Sequence, residues 1–424
     1  MRNGRSWLGF LMLSLFLGFS LASDRKWWRK SAQPTETMSS MMLNRAGSSL
    51  VFPVHGNVYP TGYYNVTLYI GHPPKPYFLD LDTGSDLTWL QCDAPCVSCT
   101  ETPHPLYRPS NDLVPSNDPL CIALHSPGNH QCQDPEQCDY EVEYADGGSS
   151  LGVLLRDVFA LNYSNGIRIK PRLALGCGYD QLPGASHHPL DGVLGLGKGK
   201  ASILSQLHGQ GLVKNVVGHC LSGREGGYLF FGDDLYDSRH VTWTSMSRNH
   251  PQHYSLGDAE LTFGGKTTGI KNLLVVFDSG SSYSYFNLQA YEALTYLIKR
   301  ELTGKPLKEA PDDDTLPLCW KGRKPFKNIR EVKKYFKSLS LSFSRGWRSK
   351  THFELHPESY LIISMKGNVC LGILNGTEAG LQDINLIGDI SMQDRMVIYD
   401  NEKQAIGWVG ANCDQIPKSR TTNI

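Results

Sequence analysis

Apolar and polar residues alternate along much of this chain with a period of two, over short stretches bounded by turn residues. Tyr64, Val66, Leu68 and Ile70 alternate with Asn65, Thr67 and Tyr69, the pattern of a half-buried strand, and Gly71-His72-Pro73-Pro74 supplies the turn that ends it. A second run from Tyr77 to Leu81 leads into Asp82. Leu273 to Phe277 is continuously apolar, as for a strand buried on both faces. Helical spacing is rare. Leu288, Tyr291, Leu294 and Ile298 recur on one helix face, with Asn287 placed as N-cap and Gly304 as stop. Shorter helices are predicted over Ser202 to Leu207 and near Ile329 to Leu339. The elements are those of a mostly β protein.

The pattern also repeats. Phe78-Leu79-Asp80-Leu81-Asp82-Thr83-Gly84-Ser85 is echoed by Leu274-Val275-Val276-Phe277-Asp278-Ser279-Gly280-Ser281. At nearly equal distances beyond the two copies come Val193-Leu194-Gly195 and Leu386-Ile387-Gly388. Two signatures recurring in the same order point to two copies of one β-rich lobe. The length agrees, because 424 residues exceed what a single hydrophobic core usually organises. The 42 Gly and 24 Pro suit a turn-dense β architecture.

Charge removes some function classes. Lys plus Arg and Asp plus Glu are both 41, so no net field gathers nucleic acid, and no nucleic-acid partner is expected. Arg2 and Arg5, the apolar run Trp7 to Phe19 and the small residues around Ala22 read as a signal peptide over 1–22, too short to persist as an anchor. Residues 23–56, with Arg25-Lys26-Trp27-Trp28-Arg29-Lys30, read as a propeptide or flexible arm. The two lobes are placed at 57–243 and 244–414, and 415–424 is a polar tail without a lipid-anchor signal. A secretory-pathway protein, extracellular or vacuolar and without a membrane anchor, is expected.

Export turns the 11 cysteines into disulfide candidates. Cys92, Cys96, Cys99, Cys121, Cys132 and Cys138 crowd one stretch and are expected to make three local bridges, in preference to a zinc site, with the pairing open. Cys177, Cys220, Cys319, Cys370 and Cys413 are an odd five, so at least one thiol is free or paired elsewhere. Asn65, Asn162 and Asn375 head glycosylation sequons.

The repeat carries the chemistry. An Asp at the end of an apolar strand, followed by Thr or Ser, Gly and Ser, sets a carboxylate in a tight turn where amides and hydroxyls can hold it. Two such turns facing each other bring like charges together, and one proton is then shared. The pair holds a base and an acid at once, sufficient to activate a water and protonate a carbonyl.

From about Tyr63 to Val409 the chain resembles the pepsin-like aspartic peptidases. The resemblance implies a mostly β, bilobal acid protease fold with a cleft between pseudo-twofold-related lobes, endopeptidase activity at acidic pH, and an extended polypeptide substrate. It implies catalytic roles for Asp82 and Asp278, cross-bracing by Thr83 and Ser279, and outward hydrogen bonds from Ser85 and Ser281, with Gly84 and Gly280 completing the loops. It also implies a flap hairpin at Tyr144-Ala145-Asp146-Gly147-Gly148-Ser149, with Tyr144 meeting the indole of Trp89. Ala145 stands where the family usually has Gly. The cysteine-rich stretch and Gln91-Cys92-Asp93-Ala94-Pro95-Cys96 are similar to the nucellin-like and nepenthesin-like plant members, and the second half has no room for the saposin-like insert of other plant members.

Other chemistries fail on spacing. Gly192 to Lys198 lacks the Ser or Thr of a phosphate loop, since Gly199 follows, and His187-His188 has no ligand partner in pattern. No cofactor and no metal are expected, and a monomer is. A non-catalytic binding or inhibitor protein on the same scaffold is the alternative.

Overall fold

The computed structural model describes residues 48–125, 136–184, 188–345 and 349–419. The expected signal peptide, most of the expected arm and Cys132 lie outside them. The described residues form sheets of fourteen, eight and four strands. The first strands are β1 (Leu50–Asn57), β2 (Tyr63–Ile70), β3 (Lys75–Asp82) and β4 (Trp89–Gln91). The flap hairpin joins β5 (Asp139–Glu143) to the long β6 (Ser149–Asn162). The alternation read in β2 is the alternation of burial: Tyr64, Val66, Leu68 and Ile70 point into the core.

Each half threads one aspartate loop in the same way. β3 runs parallel to the strand Gly192–Gly195, pairing Leu81 with Leu194 and Asp82 with Gly195. In the other half the strand Leu273–Phe277 runs parallel to Ile384–Ile387, pairing Phe277 with Ile387. The repeated apolar-apolar-Gly segments are the strands that flank the aspartate loops.

The helices are α1 (Pro119–Leu124), α2 (Ile203–Gly209), α3 (Leu288–Leu302) and α4 (Asp389–Met392). Asn287 caps α3 by accepting from the Ala290 N–H at 3.0 Å, and Ser202 caps α2 from Ser205. The segment near Ile329 is two 3-10 turns, Ile329–Glu331 and Lys333–Tyr335, and Leu339 opens a strand. Val332 and Phe336 are buried there while the Lys residues stay outside. No described helix is long and apolar enough to cross a membrane.

Four expectations are corrected. The expected arm over 23–56 overlaps β1, which begins at Leu50 and is hydrogen-bonded between Gly227–Phe231 and β2. The lobe boundary at 243 falls inside the strand Thr242–Ser245. There is no linker, because the C-terminal strands Arg395–Asp400 and Ala405–Gly410 join the first lobe's sheet, Arg395–Asp400 pairing with Val216–Leu221. The six crowded cysteines do not close among themselves. Cys96–Cys99 and Cys121–Cys138 are local, but Cys92 bonds Cys177, because β4 lies parallel to the strand that carries it. Cys220–Cys413 and Cys319–Cys370 complete five bridges, leaving Cys132 as the odd cysteine. Finally, Asn65 and Asn375 are only 8% and 9% exposed, so of the three sequons only Asn162 presents its side chain to solvent in the folded chain.

Candidate active site

Asp82 and Asp278 end the two central strands and turn into loops that hold each other. The Thr83 N–H donates to Ser279 Oγ at 3.2 Å, and the Ser279 N–H to Thr83 Oγ1 at 2.9 Å. Each hydroxyl then reaches across the interface: Thr83 Oγ1 donates to the Phe277 carbonyl at 3.2 Å and Ser279 Oγ to the Leu81 carbonyl at 2.9 Å. Both side chains are buried, so all four bonds lie where water cannot replace them. The pseudo-twofold of the sequence is thereby a physical lock between lobes.

Each aspartate is held by its own loop. The Gly84 N–H donates to Asp82 Oδ1 at 2.7 Å and the Gly280 N–H to Asp278 Oδ1 at 2.9 Å. Ser85 donates to Asp82 Oδ2, and Ser281 to Asp278 Oδ2 at 2.9 Å. The glycines have a reason. A methyl on Gly84 would lie 2.8 Å from Asp278 Oδ1, and one on Gly280 would lie 2.7 Å from Asp82 Oδ1. Each loop is therefore in contact with the opposite carboxyl.

Asp82 is 7% exposed. Burial pushes its carboxyl up to about 7, with the charge of Asp278 adding to the rise and the bonds from Ser85 and Gly84 opposing it. The Asp82 carboxyl thus keeps its proton above the ordinary carboxylate range.

The hairpin between β5 and β6 brings Tyr144 to Trp89. Residues 144–148 form the hairpin tip, with the Tyr144 N–H donating to the Gly148 carbonyl at 2.8 Å and Gly147 at φ +84°. Trp89 Nε1 donates to the Tyr144 hydroxyl at 2.6 Å, and burial raises that phenol, with the Asp82 charge adding to it. Ala145 is exposed at the tip.

All ten expected active-site residues therefore converge. Three features escaped the sequence reading. Ser282 donates to the Gly62 carbonyl, a further tie between the halves. Asp86 accepts from the Gly199 N–H at 2.7 Å and is raised by burial. Asp80 lies two positions before Asp82 on β3, and the Asp389 N–H donates to the Ser281 carbonyl at 2.8 Å. Their signals were present: Asp80 interrupts an apolar strand, and Asp389 stands where the first half carries Leu196. The cysteine and acid groupings that suggest metal ligation, Cys121-His125-Cys138 and Asp313-Cys319-Cys370, have their thiols consumed in disulfides.

Two family models, described as Xylanase inhibitor N-terminal and Xylanase inhibitor C-terminal, match residues 64–233 and 253–409. With that coverage, and with relatives named as aspartic proteinases, the chain belongs to the pepsin-like aspartic proteinase family. Its similarities are to plant members. It is 47% identical over 396 residues to an aspartic proteinase of Oryza sativa subsp. japonica, covering 90% of this chain and 95% of that one. It is 27% identical to aspartic proteinase 39 of Arabidopsis thaliana, over 91% of this chain and 82% of the relative. To aspartic proteinase nepenthesin-2 of Nepenthes gracilis it is 25% identical, over 87% and 81%. Among solved structures, soybean basic 7S globulin superposes with TM-score 0.67 at 16% identity, covering 87% of this chain and 98% of that one, and the structure titled edgp with 0.68 at 18%, covering 88% and 97%. These two show the fold alone.

Proposed function

We propose that this chain is an aspartic endopeptidase that hydrolyses peptide bonds with a water activated between Asp82 and Asp278, in acid. One observation carries the reading: a carboxyl from each half meets its counterpart so closely that the glycine of either loop touches the opposite acid. Such a pair holds one proton over the pH range in which Asp82 is raised. The charged carboxyl takes a proton from the water as the oxygen attacks the peptide carbon, and the protonated carboxyl gives its own to the carbonyl oxygen. The result is a neutral tetrahedral diol with no bond to the protein. Its collapse breaks the C–N bond and delivers a proton to the amine. The amides of Gly84 and Gly280 and the hydroxyls of Ser85 and Ser281 keep the two carboxyls aimed throughout.

The substrate is an extended polypeptide laid between flap and dyad, with apolar side chains preferred on either side of the cut. The five disulfides fit an oxidising compartment, and an extracellular or vacuolar site of action follows. Roles for Tyr144 and Trp89 in closing the flap belong to the same proposal.

A second reading has one observation in its favour, since the matching family models carry the name of an inhibitor. A binding protein on this scaffold does not require an intact dyad, yet both aspartates, both loop glycines and all four supporting hydroxyls are in place. The test is cleavage of a denatured protein at acidic pH, with and without a statine-type mimic of the diol. Asp82→Ala and Asp278→Ala are each expected to lower the rate by at least about a hundredfold. Undiminished cleavage by either variant excludes the mechanism.

A further inference from the structure

The basic stretch that follows Cys319 plays no part in the chemistry above. Residues 321–337 hold eight Lys or Arg and one acid, Glu331, in a chain whose opposite charges balance at 41 each. Three of the eight are answered by acids: Lys321 by Asp312, Lys333 by Glu358 and Lys337 by Glu301, at 3.0, 2.6 and 2.7 Å. Arg323, Lys324, Lys327, Arg330 and Lys334 are exposed, and among the described residues no acid comes within ion-pair distance of them.

Through Arg330, Lys333 and Lys334 this stretch walls a cleft of about 1020 Å³. The strand Ser349–Leu355, the turn Pro357–Ser359 and the start of Arg395–Asp400 supply the other walls. Ligand clefts commonly enclose roughly 300–1,000 Å³, so this one has room for several linked units. None of its lining residues belongs to the aspartate loops or the flap. Arg395 is the least exposed of its cations. Its guanidinium lies 4.6 Å from the centre of the Phe353 ring, and its Nη2 donates to the Glu354 carbonyl at 2.9 Å and toward Ser359 Oγ at 3.4 Å. Among the described residues no acid forms an ion pair with it. A guanidinium that has lost part of its water without gaining a counter-ion is a seat for an oxyanion.

The cleft carries acids as well, which narrows the ligand. Glu358 is taken by Lys333, Glu354 lies 3.9 Å from His356, and Asp394 Oδ1 accepts from the Gly223 N–H at 3.0 Å. A carboxylate has more acceptor sites than one such contact uses, so a fitting ligand brings donors together with its negative charges. A flat anionic bilayer does not reach a recessed guanidinium. An acidic peptide keeps its donors on the backbone, apart from its carboxylates. A chain of uronic-acid sugars carries a carboxylate and hydroxyl donors on every unit.

We propose that this cleft and the basic stretch beside it bind a carboxylated polysaccharide, with one uronate carboxylate on Arg395 and its neighbours along Arg330, Lys334 and the cations beyond. The site holds the protein to an acidic polymer while leaving the dyad free, so binding and cleavage are separable.

The experiment titrates the full chain with oligomers of galacturonic acid by calorimetry, beside neutral galactose oligomers, poly-glutamate and phosphatidylserine vesicles. The galacturonate oligomers are expected to bind, more weakly as salt rises, and the neutral oligomers not to bind. Arg330→Gln/Lys334→Gln removes two charged contacts and is expected to lower the affinity by about tenfold or more. Lys266→Gln/Lys308→Gln removes the same charge from exposed sites outside the cleft and should leave the affinity within about twofold. Arg395→Lys keeps the charge but loses the fork, and should weaken binding by about tenfold with the thermal midpoint unchanged. Absence of binding to galacturonate overturns the site, and so does an equal loss in the two double variants. Undiminished binding by Arg395→Lys overturns the seat on Arg395. Poly-glutamate or vesicles binding as tightly as galacturonate overturns the assignment to a sugar polymer.

Discussion

At the scale of single residues, Asp82 makes stability a function of pH with a definite sign. Unfolded, its carboxyl takes a proton near the ordinary value; folded, it holds one up to about 7. Between those limits the folded chain binds more protons, so its stabilisation is complete below the unfolded value and is lost as pH rises through the folded one. Asp313 acts in the opposite sense. Bonds from Ser364, Thr315 and Asn368 outweigh its burial and keep it ionised, so its contribution fades only in strong acid. Urea midpoints are therefore expected to peak in moderate acid and to decline toward neutrality, and Asp82→Asn should flatten that decline. Gly280→Ala tests the contact itself. Its methyl would meet Asp82 Oδ1 at 2.7 Å, so cleavage should be lost while the chain still folds, as judged by circular dichroism and peptide turnover side by side.

At the scale of elements, the flap is tied to its lobe by the 2.6 Å bond from Trp89 to Tyr144. Trp89→Phe keeps the ring packing and removes the donor, and a single such bond is worth about 0.5–1.5 kcal/mol. The expected outcome is a roughly two- to tenfold fall in kcat/KM, read by peptide kinetics. Elements of this kind were legible in the chain because their signals are local: the alternation of β2, the Asn287 cap of α3, and the two aspartate strands that repeat one another. What could not be read was pairing between distant segments. Cys92 gave no sign of Cys177, because only the parallel alignment of β4 with that strand brings them together. β1 shows in the chain only as Leu50, Phe52 and Val54 in alternation, and what makes it a strand is that neighbours on both sides take up its carbonyls and amides. Asp80 and Asp389 were visible as letters but silent as chemistry, since a lone acid among apolar residues reveals its role only when its surroundings are known.

At the scale of the whole molecule, the halves are not independent bodies. The last two strands of the chain complete the sheet of the first lobe, and Cys220–Cys413 fastens that junction across a sequence separation of 193. Closing so long a loop removes roughly 5 kcal/mol of unfolded-chain entropy in the simplest chain model. Cys220→Ser/Cys413→Ser should accordingly lower the thermal midpoint substantially under oxidising conditions, and differ little from the parent chain in reductant. Expression of 48–244 alone should give an insoluble product, because the edge of Val216–Leu221 would lie bare.

That same edge has a consequence during synthesis. A ribosome delivers the chain from its N-terminus at about 5–20 residues per second, so Val216–Leu221 emerges some tens of seconds before Arg395–Asp400 is made to cover it. Through that interval the newborn first lobe offers an adhesive flank to any passing extended peptide. Its maturation is therefore gated by synthesis of Arg395–Asp400, and the chaperones that greet it must shield one strand until that segment has emerged.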